Sequence, residues 1–316
     1  FLKLQCTNFM QICPPKGNSI CIHIFLISLI LTFKTQQMDS LSTIILGGAL
    51  FVIMLGMGLS LRVADFKRIV IDPKAVCVGL TNQLLILPLI GLLIASYVTN
   101  QPEIAVGIMI LSACPGGPTS NLISYMAKGD LALSVTLTAL SSLITILTIP
   151  FIITYASEHF MGTGQEVVLD IPSTILQIFG IVVIPIVLGM LVRRFKTAFA
   201  ERMGRPVRIA SGIVLALIII GLVLKEKANF VSYFKQAGLA TLLLNVLTMG
   251  VGYYSAKVFK LRKEAGISIA IESGIQNGTL AITIAVVFLQ NSALAIAPAV
   301  YSLLMFFTGG VMIFFF

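Results

Sequence analysis

Of the twelve acidic residues in this chain, Glu272 alone falls in the middle of an apolar segment. An ionisable group at that depth is costly unless it is paired or lines a wet cavity, so its position alone makes it a functional candidate. It lies in Ile271-Glu272-Ser273-Gly274-Ile275-Gln276-Asn277-Gly278-Thr279, where two glycines and five polar side chains interrupt a hydrophobic run. Glycine weakens a helix and short polar side chains compete for its backbone, so the run is a good place to unwind one. The plainer alternative is an intact helix whose Glu bonds across to a neighbour as polar glue.

A second interruption reads Cys114-Pro115-Gly116-Gly117-Pro118-Thr119-Ser120-Asn121, between Ile104 to Ala113 and Leu122 to Ala127. Two prolines bracketing two glycines remove backbone donors and helical preference together, and Thr119 or Ser120 can cap the half-helix that follows. A simple proline kink would need one proline and no polar cluster.

Counting along the chain ties this break to the next segment. From Asn121 to Gly129 is eight residues, or ~12 Å of helix. After a turn at Gly129-Asp130 an antiparallel helix returns to the same level at Thr138. Ser134 and Thr138, spaced i and i+4, then share a face beside the break, although hydroxyls in spanning helices also bond back to their own backbone. One carboxylate, amide and hydroxyl oxygens and carbonyls freed by unwinding suit a small hard cation, with sodium the natural choice. Half-helix N-termini meeting there would favour the carboxylate of an organic anion.

These residues need elements that hold them in lipid. The chain has 316 residues, 58% hydrophobic and 10% charged, where soluble domains carry roughly 25% charged residues. Its apolar runs do not alternate, which sets aside a transmembrane barrel. From Met38 nine apolar segments follow, at about 42 to 61, 74 to 98, 104 to 127, 130 to 156, 171 to 192, 207 to 224, 237 to 258, 265 to 289 and 294 to 314. The odd-numbered loops and their edges hold fifteen Lys and Arg residues and the even-numbered loops three. That asymmetry predicts odd loops in the cytoplasm, the Met38 end outside and the C-terminus inside. The breaks fall in the third and eighth segments, as in two halves related by inversion once a weak or missing first span is allowed for, and paired interrupted helices point to a transporter binding site.

The net charge of +9 sits in these short loops and not on an aromatic-rich soluble face, which argues against a nucleic-acid partner. Nothing in the sequence calls for an obligatory protein partner. The five cysteines lack paired ligand spacing, and His23 and His159 lie outside the nine segments, so neither a zinc site nor an intramembrane enzyme is expected. Residues 1 to 37, with Pro14-Pro15 and the short apolar run Ile20 to Phe33, read as a leader before a start at Met38, or as an added first helix.

Together the motifs resemble the bile acid:sodium symporter family over roughly Met38 to the end. The resemblance rests on Gly56-Met57-Gly58-Leu59-Ser60-Leu61 with Asp65-Phe66, on Cys114-Pro115-Gly116-Gly117 through Ser120-Asn121, on Lys128-Gly129-Asp130, and on Glu272 with Gly274, Gln276 and Asn277. It implies an all-α multi-spanning membrane protein, an inverted-repeat transporter with two broken, crossing helices, that couples sodium to an organic anion by alternating access. A core domain, about 74 to 156 and 237 to 314, would move against a panel of about 42 to 61, 171 to 192 and 207 to 224. Two sodium ions are implied. The first would be held by Ser120, Asn121, Ser134, Thr138 and Glu272, and the second by Gln83, Glu272, Gln276 and backbone oxygens near Ser273 and Ile275. Pro118, Thr119 and Asn277 match positions near the substrate, although some members carry Thr where this chain has Pro118. The expected place is a cell membrane, and the competing mechanism makes Glu272 a proton carrier.

Overall fold

Proline and aspartate punctuate the apolar runs, and they mark where helices begin. The computed structural model describes residues 44–162, 170–225 and 230–316; the expected leader and Met38 lie outside the described residues. Helix α1 (Ile44–Ser60) bends by 69° into a short helical stretch, Val63–Ile71. Helix α2 (Pro73–Tyr97) starts where the Asp72 carboxylate accepts the Ala75 N–H at 3.3 Å, with Pro73 in the first turn, where its missing N–H costs nothing. The same chemistry starts α5 (Leu131–Met161), capped by Asp130 on the Leu133 N–H at 3.1 Å. Before it come the half-helices α3 (Pro102–Ala113) and α4 (Pro118–Met126). After it come α6 (Ile171–Phe195), α7 (Thr197–Lys225) and α8 (Phe230–Val258). A second broken pair, α9 (Lys263–Gly274) and α10 (Gly278–Phe288), precedes α11 (Ala293–Phe315).

Within the described residues each expected apolar segment falls on a helix or a broken pair of helices, without this making nine spans. Among the described residues five helices are long and apolar enough to cross a membrane, α2, α5, α6, Ala237–Val258 within α8, and α11, and six if the bent α1 pair is one span. The half-helices are too short to cross alone, since twelve residues of α3 or α9 reach only ~18 Å against a ~30 Å core. Two elements start earlier than their apolar runs suggest: α7 at Thr197, before 207, and α8 at Phe230, before 237. Charged residues such as Arg202 do not end a helix, because Arg, Lys, Glu and Met are good helix formers.

The packing is inside-out relative to a soluble protein. Leu85, Leu89 and Leu93 on α2, Leu143, Leu147 and Phe151 on α5, and Leu176, Leu188 and Leu191 on α6 are exposed, as lipid-facing stripes should be. Ser120, Ser134, Thr138, Asn245, Ser268, Glu272 and Thr283 are buried. Among the described residues there is no strand, and Leu46–Phe316 form one compact unit. This is a multi-spanning helical membrane protein.

The odd loops meet one another in two clusters. Arg62 reaches Glu201 at 3.3 Å and Arg193 donates to Leu59 O at 2.7 Å. Arg262 pairs with Asp130 at 2.9 Å and approaches Asp72 at 3.8 Å, while Thr136 Oγ1 donates to Asp65 O at 2.8 Å. The stretch from Arg62 to Asp72 touches the beginnings of α5 and α9 and the α6–α7 turn, so these basic connections share one end of the bundle.

Candidate ion and substrate site

The two interruptions cross each other. Cys114 leaves α3 in an extended conformation and Gly117 enters α4 from one; Ile275 leaves α9 extended, and Asn277 caps α10 by accepting the Leu280 N–H at 3.0 Å. Gly116 and Gln276 form a single antiparallel bridge, and the Asn277 N–H donates to Pro115 O at 2.9 Å. Each break thus satisfies polar groups that the other leaves without helical partners, which lets irregular backbone persist inside the bundle. Gly116 permits the crossing: a Cβ there would stand 2.5 Å from Glu272 Oε2.

Glu272 is 3% exposed. Its Oε1 accepts from Ser120 Oγ at 2.7 Å and from Ser134 Oγ, and its Oε2 accepts from Thr138 Oγ1 at 2.8 Å. Asn121 Oδ1 lies 2.9 Å from Ser134 Oγ and 3.3 Å from Thr138 Oγ1. The turn that returns α5 to this level forms at Gly129-Asp130, with the Gly129 N–H on Ser124 O at 2.8 Å and Lys128 at φ 57°. Ser120, Asn121, Ser134, Thr138 and Glu272 therefore stand together. Among the described residues no Lys, Arg or His pairs with Glu272.

Proton counting defines what this cluster lacks. Ser120, Ser124, Ser134 and Thr138 carry one hydroxyl proton each. Around them stand five oxygens that carry none: both of Glu272, Asn121 Oδ1, Gly117 O and Ser134 O. Buried oxygens crowded with too few protons are stabilised by positive charge.

The second expected set gathers on the other side of the Glu272 backbone. Gln83 sits in a π-helical turn, Asn82–Ile86, within α2, and its Nε2 donates to Gln276 Oε1 at 2.7 Å and to Cys114 O at 3.0 Å. Gln276 Nε2 donates to Ser273 O at 2.9 Å and Glu272 O at 3.2 Å. The Ser273 hydroxyl turns back to Ile269 O at 2.7 Å, so Ser273 offers the group only its carbonyl. Ile275 is buried at the end of α9 with its N–H on Ile271 O at 2.8 Å.

Pro118, Thr119 and Asn277 line one cavity of about 130 Å³ together with Gly117, Gln276 and Thr279. Its apolar wall includes Ile53, Leu122, Leu215, Met305 and Phe306. The N-termini of α4 and α10 open onto it, and Asn277 Nδ2 is buried there without a hydrogen-bond partner.

Sequence reasoning passed over three groups around the breaks. Ser124 Oγ lies 3.1 Å from Ser134 Oγ, one turn below Ser120. Asn82 Nδ2 donates to Val78 O and to Ser255 Oγ, each at 2.8 Å. Asn245, on α8, and Tyr301, on α11, both bond to Gly274 O. An amide in the middle of an apolar run is a usable signal for Asn82 and Asn245. Tyr301 gives none, because its ring reads as one more hydrophobe.

A helical bundle in lipid whose two broken helices cross at a buried carboxylate is the architecture of an ion-coupled membrane carrier. Residues 48–233, more than half the chain, match the Sodium Bile acid symporter family, and the chain belongs to that family of sodium-coupled transporters, which are not enzymes. It is similar to a sodium-dependent transporter of Bacillus subtilis, YocS, described as uncharacterized, at 31% identity over 268 residues, covering 84% of this chain and 79% of the relative. A probable chloroplastic sodium/metabolite cotransporter of rice, BASS2, is 28% identical over 268 residues, covering 85% of this chain and 62% of the relative's length. The human ileal sodium/bile acid cotransporter is 26% identical over 260 residues, covering 80% and 73%.

Proposed function

We propose that this chain carries a carboxylate-bearing organic anion across a membrane together with sodium. One sodium lies among Ser120, Asn121, Ser134, Thr138 and Glu272, and a second beside Gln83, Gln276 and the carbonyls of Glu272, Ser273 and Ile275. The observation that carries the reading is the buried Glu272 carboxylate with no cationic partner among the described residues, which shares the Ser134 and Thr138 protons with Asn121 Oδ1. A monovalent cation neutralises that carboxylate. In the second group the Gln276 amide now lies on the carbonyls of Glu272 and Ser273, so an ion there takes its place.

The anion binds in the adjoining cavity against Asn277 Nδ2, Thr119 and the N-termini of α4 and α10. A negative charge is stabilised at such termini, and an unpartnered buried donor is an unspent hydrogen bond. The space of about 130 Å³ is below the ~300 Å³ of ordinary ligand pockets, so this conformation admits a small organic acid, and a larger anion of the bile-acid kind enters only when the walls part. That parting is the alternating-access movement of α2–α5 and α8–α11 against α1, α6 and α7.

Uptake into proteoliposomes, with sodium and proton gradients imposed separately, tests the coupling. A sodium gradient drives saturable accumulation and Glu272→Gln lowers it at least about 100-fold, since a carboxylate lost from a cation site costs about 3 kcal/mol or more. Accumulation that follows the proton gradient alone assigns Glu272 to proton transfer and sinks the sodium reading.

A further inference from the structure

Gly274 ends α9, and its carbonyl is one of those that unwinding frees. In a continuous helix it would accept the Gly278 N–H, which instead bonds to Gln276 O at 3.0 Å. Two side chains from behind the break take that place. Tyr301 Oη donates to Gly274 O at 2.6 Å, Asn245 Nδ2 donates to the same oxygen at 2.6 Å, and Asn245 Nδ2 also reaches Tyr301 Oη at 3.2 Å. Both side chains are fully buried. Gly274 itself is wedged against Met249, whose side chain would collide with any Cβ there.

A carbonyl oxygen has two lone pairs, and both are engaged by these donors. Gly274 O is therefore withheld from anything on the other side of the break. The arrangement leaves Asn245 Oδ1 buried without a partner, an unfavourable state that a flip of the amide would not cure. The flip would set Oδ1 against Gly274 O, acceptor against acceptor, so the clamp itself dictates the orientation.

We propose that Tyr301 and Asn245 are positioning residues that hold Gly274 O out of the cation's shell. They thereby decide that the carbonyls of Glu272, Ser273 and Ile275 face the ion, and with them its preference for sodium over lithium. The proposal rests on the reading of this break as a cation site. Released from the clamp, the segment from Gly274 to Gln276 can turn, which changes both the number and the spacing of the oxygens offered. Spacing is what distinguishes cations of the same charge and different size.

The test is thermal stabilisation of the purified full chain by sodium or lithium chloride at constant ionic strength, for the native sequence and for Tyr301→Phe, Asn245→Leu, Thr308→Ala and Glu272→Gln. Tyr301→Phe removes one oxygen and no packing, so it folds even if Asn245→Leu does not. For each clamp variant the half-stabilising sodium concentration rises about three- to tenfold, the effect of one buried hydrogen bond. The lithium-to-sodium ratio shifts with it, which a general loss of stability would not produce. Thr308→Ala, on the same helix and bonded only to its own backbone, leaves both unchanged. If Glu272→Gln abolishes stabilisation while both clamp variants match the native protein in both salts, the clamp is overturned and the cation site stands. If Glu272→Gln responds to sodium like the native protein, both are overturned.

Discussion

At the scale of single residues, Glu272 and Asn277 do opposite work from the two sides of one break. Glu272 gathers hydroxyls and an amide oxygen around negative charge, whereas Asn277 offers an unused N–H to the neighbouring cavity while its Oδ1 caps α10. This separation gives a clean prediction. Asn277→Asp keeps an oxygen for the Leu280 N–H but replaces the free donor with a second carboxylate oxygen. Stabilisation by sodium alone persists, while the KM for the anion rises at least about tenfold, from a lost charge-assisted bond and added repulsion. Uptake kinetics at saturating sodium measure it, and an unchanged KM removes Asn277 from the anion's site.

At the scale of elements, the site depends on where helices stop as much as on where they run. The antiparallel bridge between Gly116 and Gln276 and the bond from the Asn277 N–H to Pro115 O join the two breaks into one crossing. The return of α5 to that crossing is set by Asp130, which caps the helix through Leu133 and also meets Arg262 at the head of α9. The cap is the larger contribution, because Arg262 is 59% exposed and exposed ion pairs are worth little. Asp130→Ala therefore lowers stability by about 1–2 kcal/mol. Asp130→Asn, which keeps a capping oxygen, costs no more than about 1 kcal/mol. Thermal melts of the two variants side by side check the order, and equal losses would shift the weight to the ion pair.

At the scale of the whole molecule, the basic connections at one end of the bundle carry the orientation. Arg62 and Arg193 meet Glu201 there, and Arg262 meets Asp72 and Asp130; by the positive-inside rule the excess of Lys and Arg in these connections predicts that this end is cytoplasmic. In a background with Cys6, Cys13, Cys21 and Cys77 each replaced by Ser, which leaves only the buried Cys114, Lys128→Cys and Lys260→Cys both react with a membrane-impermeant reagent only after the cytoplasmic face is opened. Labelling of the two positions from opposite faces would break the shared end, and labelling of both from outside would invert the protein.

The solvent, the positions of the helices and both breaks were legible in the amino-acid sequence, since each of these is local. An apolar run declares lipid, Asp72 and Asp130 declare helix starts, and proline with glycine declares an interruption wherever the rest of the chain lies. The sequence also brought Ser134 and Thr138 to Asn121, because one tight turn and a fixed rise per residue leave α5 no other register. That the breaks cross antiparallel, that the Glu272 carboxylate meets Ser120, Ser134 and Thr138 while its carbonyl meets Gln276, and that Tyr301 and Asn245 hold Gly274 from behind emerge only in the folded chain. Except for the Gln276 bond, these pairings join residues far apart in sequence, through hydrogen bonds whose partners no periodicity encodes. A tyrosine in an apolar helix carries no sign of which way its hydroxyl will face until its neighbours are packed around it.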